Sequence, residues 1–145
     1  MQSDLPERVL GGPFTYFNLL KTICSEISQT QEGISDHHIS VLYQLFGKAL
    51  PKALDLIDKE EIEYITVESR RSYFIIRRPK ATYYVYSTVL FCNCPYFQFN
   101  VLKKKKNLMC KHIIACHVAL ATKKCRFHSS PEYMSPDVLK NGETV

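Results

Sequence analysis

The spacing of apolar residues predicts helices in the first third of the chain. Apolar side chains recur every three or four positions over residues 14–28, which is the period of an α-helix with one buried face. Asp36 suits the cap of a second helix that Gly47 can end, and Pro51 suits the first turn of a short third helix. The pattern therefore predicts three helices before any strand.

After these helices the apolar pattern changes to a period of two, which is typical of strands. Segments rich in Tyr, Val, Ile and Phe predict strands near residues 62–67, 72–77, 82–86 and 88–92. A helical pattern returns over residues 113–120. Together these elements predict an α+β fold, in which N-terminal helices are followed by a small antiparallel sheet and a C-terminal helix.

The chain is expected to divide into four regions. Residues 1–13 are predicted to be a flexible N-terminus, and residues 14–60 a helical region. Residues 61–125 hold the predicted sheet and last helix, and residues 126–145 are predicted to be a weakly ordered tail. With 145 residues, the chain is long enough for one core or two small ones. Its apolar stretches are far shorter than the roughly 20 residues that a membrane span needs, so no membrane partner is expected.

The net charge of +5 hides an uneven distribution of charge. Residues 69–131 contain 13 Lys and Arg residues and no Asp or Glu, whereas residues 1–68 contain five Lys and Arg against 11 Asp and Glu. A single-signed segment of this kind suggests a polyanionic partner. A run of lysines can also be an ordinary solvated loop. The candidate nucleic-acid contacts are Lys103, Lys104, Lys105, Lys106, Arg77, Arg78 and Lys111.

Two pairs of candidate metal ligands, a CxC and a CxH, are separated by 15 residues. Residues two apart on a strand point to the same face, so Cys92 and Cys94 can bind one ion. Residues two apart within a helix point about 200° apart, so Cys110 and His112 converge only if the cysteine precedes the helix. Three Cys and one His complete a tetrahedral shell and leave no position open. The predicted cofactor is one structural Zn²⁺ ion.

Other interpretations of these cysteines are weaker. Free cysteines are often buried, but two ligand pairs around a change from strand to helix are difficult to obtain by chance. The first residues show no basic region followed by an apolar stretch, so we expect no secretory signal and reduced thiols rather than disulfides. Cys116 lies four residues after His112 on the same helix face and is the one credible substitute ligand.

We predict that the chain is not an enzyme. Catalytic zinc keeps one ligand position open, and hydrolysis usually needs a nearby carboxylate to move protons. The four predicted ligands fill the shell, and the segment 69–131 contains no acidic residue. The sequence also lacks a Gly-rich phosphate loop.

The second and third predicted helices carry more apolar residues than a small helical layer needs for itself. Part of their surface is therefore a candidate interface with another protein. The alternative, which the sequence leaves open, is that the same residues pack on the sheet. They are Leu42, Leu45, Phe46, Leu50, Leu54 and Ile57.

The two ligand pairs and their surroundings resemble a known family. The CxC and CxH pairs, preceded by strands and followed by a helix, resemble the SWIM zinc-binding domain. Further motifs are similar to the SWIM subunits of the Shu complex over about residues 36–122. These motifs are Leu45-Phe46-Gly47, Ala53-Leu54-Asp55-Leu56-Ile57-Asp58, Cys94-Pro95-Tyr96-Phe97 and Leu108-Met109-Cys110-Lys111-His112.

This resemblance implies a SWIM-type ββα domain over residues 61–125 and a nuclear, non-catalytic role in homologous recombination. Such subunits form an obligate heterodimer with a recombinase paralogue. They help the strand-exchange recombinase to assemble on single-stranded DNA, in DNA repair and in meiosis. Two alternatives remain open: a stand-alone SWIM zinc-finger module that binds DNA itself, and a structural zinc adaptor without DNA contact.

Overall fold

Three helices precede the sheet, as the sequence predicts. The computed structural model describes residues 12–59, 61–67, 71–103 and 109–130. The helices are α1 (Pro13–Ser28), α2 (Asp36–Phe46) and α3 (Ala49–Asp58). Of the predicted flexible N-terminus, residues 1–13, Pro13 already begins α1, and residues 1–11 lie outside the described residues. The lysines Lys104, Lys105 and Lys106 and residues 131–145 also lie outside them.

The ends of α2 show why the chain turns where it does. Ser35, rather than the predicted Asp36, caps the helix, because its hydroxyl oxygen accepts a hydrogen bond from the backbone N–H of His38 at 3.1 Å. Gly47 ends the helix with a positive φ of 59°, which glycine adopts without a steric penalty. The predicted end of the helix is therefore confirmed, and α3 begins two residues later.

The sheet has four strands in the order β3-β2-β1-β4. They are β1 (Ile62–Val67), β2 (Ser72–Arg78), β3 (Ala81–Tyr86) and β4 (Arg126–Ser130). The first three form antiparallel pairs, and β4 lies parallel to β1. The prediction of an α+β fold is confirmed, but the prediction of a wholly antiparallel sheet is wrong. The helix before β4 crosses from β3 to β1 along one face of the sheet. The last strand therefore runs in the same direction as β1.

Two segments differ locally from the prediction. Residues 126–130 were expected in the weakly ordered tail, but they form β4, because β1 offers an open edge whose backbone groups need hydrogen-bond partners. Residues 88–92 were expected to form a strand. The structure instead shows bends over residues 87–90 and one isolated bridge between Val85 and Cys92.

The last helix, α4 (Lys111–Thr122), lies at the centre of the molecule. Nine of its 12 residues are buried, which is typical of a helix covered on every side. It packs against α1 and α3 on one side and against β1 and β3 on the other. One core cluster therefore joins the helical region 14–60 to the zinc-binding region 61–125. Among the described residues, no helix is both long enough and apolar enough to cross a membrane.

His117 is a buried polar residue in the middle of this core. Its ring lies against Phe17 of α1 and Phe74 of β2, at centroid distances of 5.4 and 5.5 Å. Its Nε2 atom is buried and has no hydrogen-bond partner within the described part of the chain. Burial, assisted by the positive charge of Lys21, lowers the pKa of His117 to about 4. The ring is therefore neutral in the folded protein at pH 7.

Replacing His117 by leucine is expected to reduce the loss of stability in mild acid. The unfolded chain takes up the proton near pH 6.5, and the folded protein only near pH 4, so this residue destabilises the fold as the pH falls through that window. Between pH 7 and pH 5, protonation of His117 in the unfolded chain lowers the free energy of unfolding by about 2 kcal/mol. Zinc-loaded wild type and His117→Leu should be unfolded with urea at both pH values. Equal losses of unfolding free energy in the two proteins would contradict this account.

Candidate metal centre

The structure brings the four predicted ligands together. One donor atom from each of Cys92, Cys94, Cys110 and His112 lies within 4.8 Å of the others, and all four residues are buried. The ligands of a tetrahedral ion with bonds near 2.3 Å lie about 3.8 Å apart, so the cluster has the size that zinc requires. It is the one group of at least three candidate ligands among the residues that the structure describes.

The second ligand pair has the predicted geometry. Cys110 is the residue before α4 and has an extended backbone, with φ of −94° and ψ of 158°. His112 lies in the first turn of the helix. The change from extended to helical backbone between these residues brings two side chains to the same ion, although they are only two positions apart.

The first ligand pair is held by side-chain hydrogen bonds rather than by a regular strand. Asn93 stands between the two cysteines, and its Oδ1 accepts a hydrogen bond from the backbone N–H of Tyr84 at 2.8 Å. The N–H of Asn93 in turn donates to the carbonyl oxygen of Tyr84 at 3.3 Å. The side chain of Gln98 donates to the carbonyl oxygen of Cys92 at 3.1 Å. These bonds fix the loop on the end of β3.

Asn93 and Gln98 are not among the site residues that the sequence predicts. A signal was present for Asn93, because asparagine often hydrogen-bonds to neighbouring backbone groups and this one lies between two ligands. Gln98 follows Cys94 by four residues, in the π-helix Phe97–Lys103. Nothing in its spacing indicated a π-helix, so its contact with Cys92 was not predictable.

The surroundings of His112 fit a metal ligand. The ring stacks on Tyr83 with a centroid distance of 4.3 Å and an interplanar angle of 29°. Its Nδ1 atom is buried without a hydrogen-bond partner among the described residues. A buried polar atom without a partner is costly, and binding to a metal ion removes that cost. This atom therefore supports His112 as the fourth ligand.

The protonation of the three thiols points to the same conclusion. Hydrogen bonding to Cys110 and Cys94, and then burial, raise the pKa of Cys92, and burial raises the pKa of Cys110 to about 12. Hydrogen bonds from Cys110 and Cys92 lower the pKa of Cys94. Without a cation the cluster therefore favours one thiolate and two thiols. A divalent cation stabilises all three as thiolates, and the set of three sulfurs and one imidazole is typical of structural zinc. The buried cluster thus points to one structural zinc ion.

Cys116 does not join the cluster. It is fully buried on α4, and burial raises its pKa well above the ordinary value for a thiol. A buried, protonated thiol is a packing residue rather than a metal ligand. The structure therefore gives no support to Cys116 as a substitute ligand.

Among the predicted nucleic-acid residues that the structure describes, Arg78 and Lys111 line one groove, and Arg77 and Lys103 are not part of its lining. Arg77 donates to Glu63 at 3.1 Å and Arg78 to Glu61 at 2.7 Å, so acidic residues of the first half of the chain neutralise both arginines. Lys103 is exposed at the end of the π-helix, and Lys111 is exposed in the first turn of α4. The charge along the sequence therefore overstates the free positive charge of the fold.

The predicted partner residues fall into two groups. Leu42, Leu50 and Ile57 are buried in the shared core, but α2 and α3 pack mainly on other helices, α4 in the case of α3, rather than on the sheet. Leu45, Phe46 and Leu54 are only partly buried. Leu45 and Phe46 line a groove beside the zinc ligands.

This groove, which we call the basic groove, has a volume of about 880 Å³. It lies between the end of α2, the start of α3, the turn from β2 to β3, the loop that carries Cys94, and the start of α4 with Cys110 and His112. Its apolar lining includes Leu45, Phe46, Leu56, Tyr83 and Met109. Its charged lining consists of Lys48, Lys52, Arg78, Lys80 and Lys111, and no acidic residue of the described chain lines it.

Comparison with known proteins gives consistent results. A family model described as SWIM zinc finger matches residues 87–115, the segment that contains all four ligands. "Zinc finger SWIM domain-containing protein 7" of Homo sapiens is 30% identical over 128 residues, which are 88% of this chain and 91% of the relative. The protein of the same name from Mus musculus is 34% identical over 114 residues, which are 77% of this chain and 75% of the relative.

The similarity extends beyond animals. A "Zinc finger SWIM domain-containing protein 7 homolog" of Dictyostelium discoideum is 35% identical over 88 residues, which are 59% of this chain and 56% of the relative. No solved structure matches the chain at a significant level.

Proposed function

Because the chain belongs to the family of zinc finger SWIM domain-containing protein 7, we propose that it is the zinc-binding subunit of a Shu-type recombinase-mediator complex. In this proposal the protein has no catalytic activity of its own. It pairs with a recombinase paralogue in the nucleus and helps the strand-exchange recombinase to assemble on single-stranded DNA during recombination repair and meiosis.

The observation that carries the proposal is the similarity over most of the chain to curated SWIM relatives. The resemblance of the motifs between residues 36 and 122 to SWIM subunits of the Shu complex supports the finer role. A structural rather than catalytic zinc is supported by the four donors, which fill a tetrahedral shell. The buried position of all four ligands supports the same role, because it leaves the ion little access to water.

Purification of the protein with its partners tests this function. Tagged full chain, expressed in the cells that normally make it, should copurify from the nuclear fraction with a recombinase paralogue in about equal amounts, since an obligate heterodimer has fixed stoichiometry. The purified pair should bind single-stranded DNA and speed recombinase assembly on it. Mass spectrometry and a filament-assembly assay are the measurements.

Matched variants of the tagged chain are the controls. Cys110→Ala removes a zinc ligand and should lose the paralogue, whereas Cys116→Ala, six residues farther along and within α4, should retain it. If the lone chain binds single-stranded DNA with nanomolar affinity and no paralogue copurifies, the stand-alone DNA-binding module replaces the proposal. If neither the chain nor any complex of it affects DNA, the structural zinc adaptor replaces it.

A further inference from the structure

We propose that the basic groove binds an acidic peptide segment of a protein partner, with an apolar side chain of that segment inserted beside the zinc centre. The groove has the volume of a typical ligand pocket, about 300 to 1,000 Å³. Its volume is larger than that of one side chain, so the groove can accept a short segment of a partner protein.

Charge is the first observation that carries this proposal. Lys48, Lys52, Lys80 and Lys111 are exposed, and none of them forms an ion pair within the described ranges of the chain. Arg78 adds a fifth cation, already paired with Glu61. Four free ammonium groups around one opening repel one another, and an acidic ligand relieves that repulsion. They also steer an acidic partner toward the groove.

The apolar lining is the second observation. Leu45 and Phe46, at the end of α2, are only partly buried, and Leu56 and Met109 lie deeper. This arrangement is that of a recognition groove, in which pockets hold apolar side chains and the rim supplies charge. A peptide that combines Asp or Glu with Leu, Ile, Met or Phe matches both features.

The same lining favours a peptide over nucleic acid. Phosphates would satisfy the lysines, but single-stranded bases bind mainly by stacking on exposed aromatic rings. Of the three Phe and Tyr residues in the groove, Tyr83 is stacked on His112, and Phe46 is partly buried with its ring against Tyr16. Only Tyr96 is exposed, by 43%. The buried part of the lining consists of Leu56 and Met109 beside the zinc ligands Cys94, Cys110 and His112, and it would offer polar base edges few hydrogen bonds.

The groove deepens the proposed function, because it gives the partner subunit a place to dock on this chain. The chemistry of the groove does not depend on that function, and the inference rests on it only for the identity of the partner. A paralogue that copurifies while no acidic segment is captured at the groove would overturn the groove alone. An acidic segment captured at the groove while no paralogue copurifies would overturn the Shu role alone.

Site-specific crosslinking tests the inference. Lys80 should be replaced by the photoreactive amino acid benzoylphenylalanine in the full chain, expressed in cells and purified with its zinc. Lys124, exposed after α4 and outside the groove, is the control position. After irradiation and nuclease digestion, mass spectrometry should locate the Lys80 adduct in one segment of another protein. That segment should have a net negative charge and contain a large apolar residue, and the Lys124 position should not capture it.

Every other outcome overturns the proposal. An adduct that nuclease removes would identify nucleic acid as the occupant. An adduct with a segment of this chain would identify an internal occupant. A neutral or basic segment, equal capture from both positions, or no capture at Lys80 would remove the charge argument.

Charge reversal gives an independent measurement. Lys52→Glu combined with Lys80→Glu should lower the amount of the crosslinked partner that copurifies by about tenfold or more, because each substitution replaces attraction by repulsion at the rim. The control Lys124→Glu should change the amount of copurified partner by less than about twofold. Zinc content must stay at one equivalent in both proteins. Equal copurification of wild type and double variant would overturn the proposal.

Discussion

Replacing Cys110 by alanine is expected to remove the zinc and unfold the protein. Structural zinc sites contribute about 10 to 16 kcal/mol of apparent binding free energy, which is as large as the entire stability of a typical domain, about 5 to 15 kcal/mol. Cys110 precedes α4, the helix on which both the sheet and the N-terminal helices pack. Loss of the ion therefore releases the centre of the core, and the effect should reach α1 and α3.

The measurements are elemental analysis and circular dichroism, with Cys116→Ala as the matched control. Cys116 is as deeply buried as Cys110 and lies six residues along the same chain segment, but it is outside the ligand cluster. Its replacement should keep one zinc equivalent and cost only about 1 to 2 kcal/mol of unfolding free energy. A full equivalent of zinc in purified Cys110→Ala would show that the ligand assignment is wrong.

The zinc ligands were predictable because the relevant geometry is local. Cys92 and Cys94 are two residues apart, and so are Cys110 and His112, so the two members of each pair are close together in the chain itself. The helices were predictable for the same reason, since capping and apolar spacing act over one or two turns. The end of α2 at Gly47 is an example in which a single residue decides the conformation.

The features that were missed depend on residues far apart in the sequence. The strand β4 pairs with β1 across more than 60 residues, and its polar sequence carries no strand signal of its own. The arginines of β2 are another example. The antiparallel register pairs Ile62 with Ile76, which brings Glu61 and Glu63 close to Arg78 and Arg77. Counting charge along the chain cannot detect this neutralisation.

The apolar face of α2 and α3 illustrates a third limit. The sequence shows that Leu42, Leu50 and Ile57 must be buried against other residues. It does not show whether those residues belong to this chain or to another protein. In the structure α4 supplies those residues for α3, because α4 is apolar on every side and needs partners on two faces. The zinc-binding region therefore shares its core with the helical region.

A fragment of residues 61–130 is accordingly expected not to fold into a stable domain, even with zinc. It lacks α1, α2 and α3, and with them the fully buried Leu20, Ile27, Leu42 and Leu50. Each such side chain contributes about 1.5 to 3 kcal/mol of burial, so their loss is comparable to the whole stability of a domain. Zinc binding to the fragment must then also offset the cost of ordering an incomplete core. The fragment should therefore bind zinc about a thousandfold more weakly than the full chain.

A chain that begins at Gly12 is the matched control for this truncation. It keeps all three helices, so it should match the full chain in zinc affinity and in its cooperative thermal transition. The fragment should show no such transition and poor dispersion of its amide signals in nuclear magnetic resonance spectra. Well-dispersed spectra and full zinc affinity in the fragment would mean that the sheet, the ion and α4 suffice on their own. The helical region would then be a separate layer, and its contacts with α4 would resemble an interface between domains more than a shared core.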